Sequence, residues 1–281
     1  MLIRWCAAWL LYLAVSQVWA AEAEPKELIS SVVGETRIHV SEPVDEERIV
    51  TLTQKGSPSI KLKSAVSFDV LYTDPDSIHA PNIIVGSRSG GTHCCYTLHI
   101  ISFSPSLHEQ NIEVLDSDLI DVQAVARGGP TLGLFDFNFG YWHNSFAGSP
   151  APPISLSWNS TQGRYVLNVD GMRKPAPSNT KLTEDAQALL KEEVDTQQPW
   201  PPTLLWADML KYIYSGNSAS ARTLMDTAWQ PKWGDKELFF TCFNQKIHAG
   251  RLWGQMDIGN LMKADGDFPK PISVNTDCGR Y

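Results

Sequence analysis

Between residues 36 and 168 apolar and polar positions alternate in short runs with the two-residue period of half-buried strands. The runs 36–40, 48–53, 59–63, 66–72, 82–87, 95–103, 111–115, 121–126, 131–139, 154–158 and 164–168 predict about eleven strands. They are separated by turn-forming groups such as Glu42-Pro43, Gly56-Ser57-Pro58 and Asp74-Pro75-Asp76. The run 131–139 puts Phe135, Phe137 and Phe139 on one strand face, the pattern of a sheet burying its core. Close spacing of short strands predicts an antiparallel domain of meandering sheets, sandwich-like or partial-propeller-like. A closed propeller of four four-stranded blades needs more strands than this region offers.

The pattern changes after residue 172. Residues 173–180 hold Pro175, Pro177 and Ser178, and beyond them the apolar period becomes helical. Thr183 is placed to cap a helix through Val194, and Pro201 and Pro202 to open a second through Tyr214, which Gly216 stops. Ser218 caps a third helix to about Trp229, and Asp235 precedes a fourth containing Leu238, Phe239, Phe240 and Phe243. The expected class is α+β, an N-terminal antiparallel β domain followed by a C-terminal helical region. The expected divisions are a signal peptide at 1–20, the β domain at 21–172, a linker at 173–182 and the helical region at 183–281.

The first residues change the compartment. Arg4 supplies a short positive region, the apolar run from Trp5 to Val15 follows, and Val18-Trp19-Ala20 ends in a small residue. That layout predicts a cleavable secretory signal, with the mature chain beginning near Ala21. The apolar run is 11 residues long, whereas a membrane-spanning helix needs about 20. Cys6 lies near the start of the run rather than after a cleavage site, which argues against lipid attachment. The expected product is periplasmic or secreted, with no membrane anchor after cleavage.

The full chain has 23 Lys and Arg against 31 Asp and Glu, a net charge of −8. Losing Arg4 makes it −9. Nucleic acid is a poor partner for such a surface, because phosphate binding needs clustered basic groups. A basic protein or an envelope glycan suits it better.

Cleavage leaves Cys94, Cys95, Cys242 and Cys278 in a compartment that permits disulfides. Neighbours on a regular strand point to opposite faces, so Cys94 and Cys95 either take separate partners in the C-terminal part or bond to each other. A vicinal bridge starts from a Cα separation of about 3.8 Å, below the usual disulfide range. It is favoured here with Cys242–Cys278, because the second bond closes the chain end onto a helix.

The glycine-rich segment 86–96 leads into this strand. Adjacent glycines at Gly90 and Gly91 permit positive φ and close approach to another surface, making Ser89, Gly90, Gly91 and His93 a candidate binding loop. At Ser89 to Cys95 the chain resembles exported bacterial proteins of unknown function that carry Ser-Gly-Gly-x-His-Cys-Cys. The resemblance extends over 81–168 and implies no known activity. Asp74-Pro75-Asp76 followed by 81–87 resembles a degenerate FG-GAP repeat, a propeller-blade unit that often binds calcium. The Asp-Gly pair of that unit is missing here, which removes the turn a calcium loop needs.

Other chemistry fails residue by residue. His93 and His99 share a strand face but lie about 20 Å apart at strand spacing, too far for one ion. Gly86-Ser87-Arg88-Ser89-Gly90 has Arg where a nucleophile elbow needs its serine. No zinc-helix motif or phosphate loop is present, so neither a metal nor a cofactor is expected. Tyr141, Trp142 and His143 follow Gly140 and precede a Ser-Pro-Ala-Pro-Pro loop, where flat rings beside polar groups suit contact with a sugar or a protein. The expected function is a non-catalytic periplasmic binding module, one form of which is an inhibitor or immunity protein against a cell-envelope enzyme or toxin. The alternative is an envelope polysaccharide- or peptide-acting hydrolase with dispersed catalytic acids.

Overall fold

The computed structural model describes residues 27–33, 36–41, 48–54, 58–64, 67–74, 81–90, 96–103, 107–114, 121–123, 129–192, 200–262 and 278. The expected signal peptide lies outside these residues, as do Gly91, His93, Cys94 and Cys95.

Among the described residues twelve strands form three four-stranded antiparallel meanders. The first sheet contains β1 (Glu27–Val33), β2 (Thr36–Ser41), β3 (Arg48–Gln54) and β4 (Ile60–Ser64) in chain order. The second contains β5 (Ser67–Thr73), β6 (Ile83–Arg88), β7 (Tyr96–Ser102) and β8 (His108–Val114), and the third β9 (Asp121–Gln123), β10 (Thr131–Phe135), β11 (Pro153–Asn159) and β12 (Arg164–Leu167). Six α-helices follow among the described residues: α1 (Val169–Met172), α2 (Asn179–Glu192), α3 (Thr203–Ile213), α4 (Ser218–Ala228), α5 (Lys236–His248) and α6 (Arg251–Gln255). Antiparallel sheets followed by helices make the fold α+β. Among the described residues no helix is long and apolar enough to cross a membrane.

The second sheet is the middle layer. Ile83, Val85 and Ile101 pack with Val50, Leu52 and Leu62 of the first sheet. Ile84, Leu98, Ile100 and Ile112 turn the other way, into a core shared with Leu132, Leu134, Ile154 and Leu156 of the third sheet. Apolar residues are therefore needed on both faces of β6 and β7, which is why Ile83-Ile84-Val85 and Ile100-Ile101 run without alternation. The same core continues through Leu205, Trp206, Leu224, Phe239 and Phe243 to Leu261, so the helices and the second and third sheets are held by one apolar interior.

One glycine in β6 is required by packing. The Tyr96 ring lies across Gly86, and a Cβ there would sit 1.7 Å from Tyr96 Oη. Only a residue without a side chain leaves space for the ring.

Several boundaries differ from the sequence expectation. The 131–139 strand ends at Phe135, because Asp136 caps a 3-10 turn over Phe137–Phe139 by accepting a bond from Asn138 N at 2.9 Å. Phe135, Phe137 and Phe139 therefore do not share a strand face. Helix α2 starts at Asn179, with Ser178 Oγ accepting from Lys181 N at 3.2 Å, so Thr183 is inside the helix rather than its cap. Ser218 is the first residue of α4, and Asn217 holds the cap position. The Asp235 cap of α5 is as expected, its carboxylate accepting from Glu237 N and Leu238 N. Strand β1 had no counterpart in the sequence expectation.

Cys242 and Cys278 form a disulfide with Cα atoms 5.6 Å apart. This bond takes both residues out of any pairing with Cys94 or Cys95.

Candidate functional site

The segment after β10 is built to hold one aromatic side chain out and another in. Tyr141 and His143 have φ of 62° and 55°, a left-handed backbone that costs a non-glycine residue energy unless its surroundings hold it. The surroundings do so through Tyr141 N donating to Ser149 Oγ at 3.2 Å and Trp142 N donating to Phe139 O at 3.0 Å. Asn144 Nδ2 ties the loop further to Gly148 O at 2.8 Å and to Thr203 Oγ1 at 2.9 Å.

Trp142 points inward. Its ring lies 5.1 Å from Phe139 and 5.3 Å from Trp206, so it anchors the loop to the helices instead of offering a free face. Tyr141 points outward and is 64% exposed. Its ring is 5.5 Å from Phe146, which stacks on Phe137 at 5.0 Å. His143 is exposed between Trp142 and Trp200.

Tyr141, Phe146 and Phe137 form one wall of a cleft of about 370 Å³. Lys246 of α5 and Arg251 of α6 line it, with Asp136 and Asn138. Asn138 Nδ2 donates to Lys246 O at 2.5 Å, occupying a carbonyl near the end of α5 and locking the turn to that helix. At the rim Arg251 pairs with Glu113.

Asp136 is the most unusual group in the cleft. It is 3% exposed, and its Oδ2 accepts from Tyr214 Oη at 2.5 Å while Oδ1 accepts from Asn138 N. Burial raises its pKa, although the two hydrogen bonds and the Lys246 charge oppose the rise. Burial also pushes the Tyr214 phenol up, helped by the Asp136 charge. The Lys246 ammonium is pulled down by burial, with Asp136 resisting. Such perturbed groups in a cleft are a mark of a functional site.

The second sheet brings the end of β6 and the start of β7 toward the same cleft. Arg88, Tyr96 and Val114 occupy one row across β6, β7 and β8, and Val114 lines the cleft. Two strand spacings, about 10 Å, separate Arg88 from Val114 along that row. Ser89 follows Arg88 and is exposed, and Gly90 has φ 98°. Of the expected site residues, Tyr141 lines the cleft and His143 is exposed beside it, Ser89 and Gly90 follow the end of β6, Trp142 is a packing residue, and Gly91 and His93 lie outside the described residues.

Sequence reasoning missed Asp136, Asn138, Phe146, Lys246 and Arg251. Asp136 had a signal, an Asp between a strand and an aromatic turn, where its carboxylate can cap its own backbone. A second polar arrangement was also missed. Ser87 Oγ lies 2.7 Å from His99 Nε2, and His99 Nδ1 lies 2.7 Å from Glu109 Oε1. These three residues step diagonally across β6, β7 and β8. The order matches a nucleophile, base and orienting acid. Ser87 and His99 are nonetheless buried, on the face of the sheet that carries Val85 and Ile101, and the chain of bonds satisfies polar groups that would otherwise be orphaned there. Among the described residues no three His, Cys, Asp or Glu side chains converge to hold a metal ion.

No protein family, curated protein or solved structure matches the chain.

Proposed function

We propose that this chain is an exported, non-catalytic binding protein whose recognition site is the Tyr141 cleft, and that its ligand is a saccharide unit of an envelope glycan. The observation that carries the reading is the Tyr141 ring, 64% exposed on a left-handed backbone above a cleft with hydrogen-bonding groups. Sugars present an apolar ring face and a hydroxyl rim. An aromatic wall beside the cationic donors of Lys246 and Arg251 offers the complement to both.

The acids of the cleft support binding over hydrolysis. Asp136 is committed to Tyr214 and the Asn138 amide, and Glu113 to Arg251, so neither is poised to transfer a proton to a substrate. Export is supported by the Met1 to Ala20 pattern.

The net charge of −8 favours a second reading, in which the same end of the molecule meets a basic envelope enzyme or toxin as its inhibitor or immunity protein. Cosedimentation with purified peptidoglycan sacculi tests the first reading. The chain is expected to pellet with sacculi and the Tyr141→Ala variant to remain in solution. Retention of both in the supernatant, with capture of a basic envelope protein that depends on Tyr141, would replace the glycan by the protein partner.

A further inference from the structure

A second and larger cavity, of about 560 Å³, lies between the third sheet, the segment after α1 and the C-terminal end of α3. Met172, Pro175, Tyr212 and Tyr214 are among the residues that line it. Its size is that of a small-molecule site, and its lining is predominantly apolar with a few polar groups.

The charge of the lining is opposite to that of the protein. The chain as a whole is −8, yet the charged residues lining this cavity are Lys174 and Lys211, and none is acidic. Lys211 faces Asp208 at 4.0 Å, a long contact between an exposed ammonium and a half-buried carboxylate that holds the ammonium weakly. The nearby Asp185 carboxylate is held chiefly by the Tyr212 hydroxyl and by Lys181, and Lys211 acts on it only as the weakest of its charged neighbours.

We propose that this cavity binds a small amphiphile with an apolar body and one carboxylate head, the body between Met172 and the two tyrosine rings and the carboxylate at Lys174 and Lys211. The apolar walls supply affinity by removing the body from water, and the two ammonium groups select the sign of the head. This goes beyond the glycan cleft and does not depend on it. Tyr141 lines the other cavity and not this one, although Tyr214, which lines this one, donates its hydroxyl to Asp136 of the first.

Calorimetric titration of the purified chain with decanoate, decanol and decyltrimethylammonium, each below its micelle concentration, tests the assignment. Decanoate is expected to bind more tightly than both others. In K174E/K211E its affinity should fall by about tenfold or more while that of decanol is kept. Met172→Trp, which fills the cavity, should abolish binding of both, with thermal melting confirming that each variant is folded. Tyr141→Ala should leave decanoate binding unchanged, separating this result from the fate of the glycan reading. Equal binding of all three probes, no binding of any, or full decanoate affinity in folded K174E/K211E would overturn the proposal.

Discussion

Tyr214, at the end of α3, donates its hydroxyl to Asp136 Oδ2 at 2.5 Å in the interior, tying the helices to the turn that ends β10. Tyr214→Phe keeps the ring but leaves a buried carboxylate oxygen without that donor. The loss should cost about 1 to 3 kcal/mol, read as a lower urea midpoint with an unchanged slope.

The same burial sets a pH dependence. In the unfolded chain Asp136 ionises near its ordinary value of 3.8, whereas in the folded protein it keeps its proton to higher pH. Between those values the folded state binds more protons, so this group's contribution to stability falls as pH rises and is level above the folded value. Asp136→Asn should remove that part of the slope in urea melts across the acidic range. Lys246 acts in the opposite sense. Its folded pKa is below 10.5, so in the window between the two values the unfolded chain binds more protons and stability from this group rises with pH. Lys246→Met should flatten the alkaline limb.

Gly86→Ala should be among the most damaging single changes, since the new Cβ meets the Tyr96 ring 1.7 to 2.8 Å away. A loss of about 3 kcal/mol is expected, with Tyr96→Ala in the same chain restoring part of it because the clash is removed. Purely additive thermal shifts in the double variant would contradict the contact.

The Cys242–Cys278 bond closes a loop of 36 residues. Replacing both cysteines by serine should lower stability by about 3 to 4 kcal/mol in the chain-entropy account of disulfides. With reductant present, which opens any Cys94–Cys95 bridge in both chains, parent and variant should unfold alike, and without it the parent should be the more stable.

The sheets and helices were legible in the sequence because their periods differ and their ends carry Pro, Gly and Asp. Helix α5 behind its Asp235 cap is the clearest instance. Phe135 to Phe139 was misread because alternation of apolar and polar residues continues through a 3-10 turn, and only the Asp136 side chain, bonded to its own local backbone, ends the strand. The cleft was half legible. Tyr141 stood out as an aromatic after a glycine, but Lys246 and Arg251 come from helices more than 100 positions later. Their convergence depends on how the helices pack on the third sheet, which spacing along a chain does not encode. Trp142 was assigned to the surface with Tyr141 because the sequence holds no sign that Tyr141 adopts φ 62° and that the following ring turns inward.

The central claim is that Tyr141 is held in a strained backbone for binding and contributes little to the fold. The most direct measurement is calorimetric titration of soluble peptidoglycan fragments into the parent chain and Tyr141→Gly, alongside thermal melting of both. Glycine relieves a left-handed backbone that costs other residues about 1 kcal/mol, so the variant should melt at the same temperature or higher while its affinity falls by about tenfold or more. A variant that binds the fragments as tightly as the parent would contradict the account.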